Sequence, residues 1–173
     1  MMRWNITALL FYLLCYSPLY SQEENEIKPS ISRSSFYIEL AGNALIYSVN
    51  YDLILLDKGK FSASGRVGFS LWTVDWPNNL YTFPAEINGM IGSDPHHVEL
   101  GVGHITWLRS FDNGGEHITD LYSGISGRIG YRYQKSTGGL IFRAGIVPIY
   151  IIVRRQFFPW LGLGVGYNLK SKK

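Results

Sequence analysis

The chain is poor in cysteine, in charge of either sign, and in long apolar runs. It has 173 residues and one cysteine, Cys15. That residue lies in an N-terminal stretch that reads as a secretory signal, so the chain predicted beyond it holds no thiol. A disulfide-stapled scaffold and a cysteine-based metal or redox site are both excluded. Only 17% of the residues are charged, and 16 basic against 13 acidic residues leave a formal charge of +3. Nothing in that balance draws the chain to nucleic acid, and no nucleic-acid partner is expected. Past the signal no segment is apolar for the roughly 20 residues of a membrane helix. If the chain crosses a membrane, it crosses with strands.

The N-terminus carries Arg3, then an apolar core from Ile6 to Tyr16, then small residues up to a cleavage site after Leu19-Tyr20-Ser21. This is the order of a cleaved signal peptide, assigned to 1–21. Cys15 follows Leu14 rather than a small residue, which argues against a lipoprotein. Residues 22–33 are polar and aperiodic and read as a flexible leader. Residues 170–173, Lys-Ser-Lys-Lys, form a short basic tail.

What is abundant is glycine (19), tyrosine (12) and alternation. From Leu161 the apolar Leu161, Leu163, Val165, Tyr167 and Leu169 alternate with Gly162, Gly164, Gly166 and Asn168. A period of two is a strand. Seven further runs of that kind precede it, from Phe36, Leu45, Phe61, Tyr81, Val98, Gly124 and Leu140. Turn chemistry separates them: Gly42-Asn43, Asp57 to Lys60, Asp75 to Asn79, Ser93-Asp94-Pro95, Ser110 to Asp120, Lys135 to Gly139 and Arg154-Arg155-Gln156. Ser110 to Asp120 is predicted as the longest loop. No stretch has a helical period. The prediction is an all-β chain, an eight-stranded antiparallel up-and-down transmembrane barrel over 34–169.

The strand faces decide which way it is built. One face carries Phe36, Ile38, Val49, Phe69, Ile87, Leu100, Ile129, Phe142 and Leu163. The other carries Glu39, Asp52, Glu86 and Glu99 with Arg66, Arg128, Arg132 and Arg143, four acids against four bases. A secreted lipocalin-like barrel binding an apolar ligand has the same period with the faces reversed. The glycines separate the two cases. Gly68, Gly101, Gly103, Gly124, Gly130, Gly145, Gly162, Gly164 and Gly166 share the charged face. Small residues serve a purpose inside a narrow cylinder and none on a solvated exterior. The charges are therefore expected inside, paired, in a filled lumen. Tyr51, Trp72, Trp107, Tyr122, Tyr131, Tyr133, Tyr150, Trp160 and Tyr167 fall near the strand ends and are expected to form two interfacial girdles.

Gly164-Val165-Gly166-Tyr167-Asn168-Leu169, with the Tyr131-Arg132-Tyr133-Gln134 and Phe142-Arg143-Ala144-Gly145 stretches, resembles the small outer-membrane β-barrel proteins of Gram-negative bacteria, a group of unassigned function. The resemblance implies an assembly signal at Gly164, Tyr167 and Leu169, read by the barrel-assembly machinery. It implies residence in the cell outer membrane among lipid and lipopolysaccharide, as a monomer. The tail after Leu169 departs from the usual terminal aromatic. Some small barrels are lipid A deacylases with a His-x-Ser pair on the exterior and a carboxylate. His104-Ile105-Thr106 is similar, with Thr in place of Ser and with Glu116 in a loop. His104 and Thr106 are the only catalytic candidates. A structural or interaction role is the first expectation. No metal site and no cofactor is expected, because His96-His97 point to opposite faces of a strand and His117 lies in a loop.

Overall fold

A computed structural model describes residues 33–75, 78–113 and 116–169. The predicted signal peptide, all but the last residue of the leader, and the basic tail lie outside the described residues. Eight strands follow one another round a closed barrel, each paired with its sequence neighbours and β1 with β8. They are β1 (Ser34–Ala41), β2 (Tyr47–Lys58), β3 (Phe61–Asp75), β4 (Asn78–Ser93), β5 (His96–Asn113), β6 (Glu116–Gln134), β7 (Gly139–Ile151) and β8 (Gln156–Asn168). All the pairings are antiparallel. Closure leaves no sheet edge, so every strand can satisfy its backbone through a neighbour.

The faces follow the alternation. Ile87 is 64% exposed, Val102 62% and Leu163 54%, whereas Glu39, Asp52 and Arg132 are each 0% exposed. Large apolar side chains thus form the outer surface and charges fill the inside. A soluble barrel needs the opposite, since an apolar surface of this extent does not survive in water. The lipocalin-like reading is thereby excluded, and the molecule is a membrane-spanning barrel of the outer-membrane type. Among the described residues no helix is long and apolar enough to cross a membrane.

Three connections differ from the sequence reading. Ser110 to Asp120 is no loop: β5 and β6 stay in register out to Asn113 opposite Glu116. Asp75 to Asn79 shrinks likewise, with Asp75 already opposite Asn78. Ser, Asn, Asp and Gly suggest turns, yet a hairpin that outruns the membrane can carry them in its strands, because there both faces meet water. The Gly42-Asn43 turn is a short 3-10 helix, Gly42–Ala44, flanked by Ala41 at φ 58° and Leu45 at φ 73°. Its residues are buried. The β1–β2 connection therefore folds into the barrel mouth rather than standing above it. The barrel is also uneven in height. β5 and β6 have 18 and 19 residues, while β1 has 8 and β7 and β8 have 13 each.

Candidate functional site

The interior is one ionic network. Arg66 donates to Glu39 at 2.5 Å and stands 3.5 Å from Glu86. Arg128 reaches Glu39 and Glu86, each at 2.8 Å. Arg132 lies 3.0 Å from Asp52 and also bonds Glu99. Arg143 lies 2.6 Å from Glu99 and 3.4 Å from Glu86. Each of the eight side chains is almost wholly buried. Burying one such charge alone costs several kcal/mol or more, so the arrangement stands only because carboxylates and guanidiniums interleave. Neutral groups extend it. Asn50 Oδ1 accepts from Arg66 at 2.8 and 3.0 Å, and Ser64 donates to Asp52 at 3.0 Å. The Tyr37 hydroxyl accepts from Arg143, whose guanidinium centre lies 4.9 Å from the Tyr37 ring centroid.

The glycines make this possible. A Cβ built at Gly101 would meet Asn88 Oδ1 at 2.2 Å, and one at Gly68 would meet Asn50 Oδ1 at 2.3 Å. At Gly166 the obstacle is backbone, with Phe36 O at 2.1 Å. Gly42, at φ +63°, brings the 3-10 turn against Glu39. From that turn Asn43 Nδ2 donates to Glu86 Oε2 at 2.6 Å. The inserted connection is thus fastened to the network from above.

Above the ions the lumen turns apolar. Ile105, Trp107, Val147 and Ile149 form a buried cluster, with Leu45, Leu80, Tyr122 and Ile151 packed against it. This corrects the girdle expectation at four positions. Trp107 is only 4% exposed and Tyr122 packs on the lumen cluster. Both share the parity of the charged face, Trp107 with Glu99 and Tyr122 with Arg128, so alternation had already assigned them inward. Trp72 and Trp160 keep lumen parity too, but sit exposed at the rim, where Trp160 Nε1 donates to the Leu45 carbonyl at 3.2 Å. They are not lipid-facing girdle residues. Tyr131, Tyr150 and Tyr167 are outward and exposed. Tyr51 and Tyr133 are outward and half-buried; Tyr51 lies 4.9 Å from Phe36 and Tyr133 lies 5.6 Å from His96 between ring centroids. In β8, Gly164 faces inward and Tyr167 outward, and Leu169, just past the strand, is exposed.

His104 and Thr106 both lie on the outer face of β5. The structure adds a residue that sequence reasoning missed. His104 Nε2 is 2.9 Å from the Ser123 hydroxyl of β6, and Thr106 is the register partner of Ser123. Nothing in the sequence gives the β5–β6 register, so a partner 19 positions away was not legible. The register neighbours of His104 are Ala85 and Ile125, neither of them acidic. No carboxylate orients the imidazole from those positions. Among the described residues no group of His, Cys, Asp and Glu could hold a metal ion.

No family model matches the sequence, and no curated protein matches it. Solved structures do. The N-terminal β-barrel domain of Pseudomonas aeruginosa OprF superposes with a TM-score of 0.53 at 11% identity, covering 82% of this chain and 98% of that one. Neisserial surface protein A, NspA, superposes with a TM-score of 0.46 at 14% identity, covering 79% of this chain and 94% of that one. At 11% identity the likeness to the OprF barrel is one of fold.

Proposed function

We propose that this chain is an integral outer-membrane barrel of Gram-negative type with a structural or interaction role, closed to ion flow. The observation that carries the reading is the lumen: eight buried, mutually paired charges below, an apolar cluster above, and a strand connection wedged between. Eight strands leave an interior just wide enough for side chains, and here side chains occupy it. Its partners on this reading are lipid and lipopolysaccharide around the apolar belt and the barrel-assembly machinery at Gly164, Tyr167 and Leu169, in and just after β8. The barrel acts as a monomer. Reconstitution in a planar bilayer tests it. No steady conductance is expected; a persistent open level overturns the sealed-lumen reading.

A second reading rests on His104. The His104–Ser123 pair borders a shallow lipid-facing groove of about 470 Å³ lined by Gly65, Val67, Ala85, Ile87 and Val102. A hydroxyl bonded to an imidazole beside a groove fit for an acyl chain has the parts of an esterase acting on lipid A. The structural reading is preferred because no acid stands beside His104 in either neighbouring strand. The lipid A acyl pattern of cells carrying His104→Ala decides between them. An unchanged pattern removes the enzyme reading, and a gain of one acyl chain removes the preference.

A further inference from the structure

The lumen is not filled up to the rim. Above the buried Ile105, Val147 and Ile149 lies an open cavity of about 210 Å³. Leu45, Leu80, Trp107, Tyr122 and Ile151 line it together with Arg109 and Arg154; along β5, Arg109 lies two residues nearer the rim than Trp107. The volume is below the ~300–1,000 Å³ of drug-sized pockets, so a short chain or one ring fits and a whole lipid does not.

One buried donor at the site lacks a partner. Trp107 is 4% exposed, and its indole N–H has no hydrogen-bond acceptor among the described residues. An indole N–H only donates, so whatever completes it must present an acceptor. Arg109 and Arg154 are exposed, and neither forms an ion pair with a described residue. Asp120 stands opposite Arg109 in the β5–β6 register, and Tyr122 donates to its carboxylate at 3.0 Å. Among the described side chains lining the cavity, two guanidiniums stand by the one carboxylate of Asp120. The Arg154 guanidinium centre lies 5.9 Å from the ring centroid of Tyr122, which also lines the cavity, and that of Arg109 lies 5.1 Å from the Phe111 ring centroid.

We propose that this cavity binds a small amphipathic carboxylate, with a short acyl chain or a single aromatic ring as its apolar part. The apolar part lies against Leu80 and Ile151, and the carboxylate is turned so that one oxygen accepts from the Trp107 indole N–H. The carboxylate accepts from the guanidiniums of Arg109 and Arg154, whose planar donor sets match it. The ligand comes from free solution, because the cavity opens at the mouth of the barrel and not on its lipid-facing side.

The test is a titration of the full chain, refolded in zwitterionic detergent, with octanoate as the probe. The readout is the NMR signal of the Trp107 indole N–H, assigned through Trp107→Phe. Octanoate should move that signal saturably, octanol of equal length should bind at least about tenfold more weakly, and acetate should not move it. The R109Q/R154Q double variant should weaken octanoate about tenfold, since charge-assisted hydrogen bonds are lost. Both arginines lie outside the buried network, so the variant should keep heat-modifiable gel mobility. Ile151→Trp, which fills the cavity, should abolish the shift while keeping that mobility. Octanol titrating as tightly as octanoate, a shift that never saturates, or unchanged affinity in the double variant would each overturn the proposal.

Discussion

Replacing Glu86 by Gln removes one negative charge from a lumen that holds four. Glu86 is the hub: Arg128 lies at 2.8 Å, Arg143 at 3.4 Å, Arg66 at 3.5 Å, and Asn43 donates to it at 2.6 Å. Glutamine keeps the shape but leaves four guanidiniums facing three carboxylates. Breaking a buried pair by removing one partner costs about 3–5 kcal/mol, because the survivor stays buried and uncompensated. The loss should fall in the upper part of that range, since three arginines share Glu86. The assay is urea unfolding of the refolded barrel, followed by its heat-modifiable mobility. The double variant Glu86→Leu with Arg128→Met restores balance at three against three. Arg66 still pairs with Glu39 at 2.5 Å. It should therefore recover most of the loss, to within about 2 kcal/mol of the parent, as apolar replacement of whole buried pairs is often neutral. A Glu86→Gln cost below about 1 kcal/mol would show that water screens the lumen, and the sealed interior would have to be abandoned. So would a double variant no better than the single.

Three further outcomes follow from other parts of the barrel. Ile87→Lys, at a residue 64% exposed, should cost about 2–4 kcal/mol in a bilayer, where in water the same change would be nearly neutral; urea titration in lipid vesicles measures it. Gly166→Ala should destabilise by about 2–3 kcal/mol or prevent closure, since its Cβ meets the Phe36 carbonyl at 2.1 Å, whereas Gly164→Ala meets only the Tyr37 ring at 3.2 Å and should cost under about 1 kcal/mol. Equal effects of the two glycine changes in refolding yield would refute that difference. Trp107→Ala should cost about 3–5 kcal/mol, as for a large core aromatic, and a cost within about 0.5 kcal/mol would return Trp107 to the lipid interface.

Most of the architecture was legible because a two-residue period encodes both a strand and its faces. Glu39, Arg66, Glu86 and Arg143 could be sorted inward without knowing a single contact, and the glycines sharing their parity said which face was inside. The same parity sorts Trp107 and Tyr122 inward, against the general habit of aromatics at barrel rims. The inserted β1–β2 connection was illegible for a different reason. Gly42-Asn43 has the composition of a tight turn, and only the buried acceptor on Glu86, 43 positions away, draws Asn43 inward. The Asp112 region reads as a loop because a strand standing in water has no apolar face to betray it. The pairing of His104 with Ser123 depends on register between strands, which no local pattern records.

The unequal strands bear on how the cylinder comes to be complete. β1 has only 8 residues with which to meet both β2 and β8, so its backbone alone makes a short weld. Yet β1 brings Glu39, whose carboxylate is met by Arg66 from β3 and Arg128 from β6, and it leads straight into Asn43, met by Glu86 from β4. The final join therefore interrogates strands on the far side of the ring. A chain whose middle strands had slipped by one residue would turn those partners outward and offer β1 nothing to dock on. Closing the ring and neutralising its interior become a single event, and the shortest strand acts as the inspector of all the others.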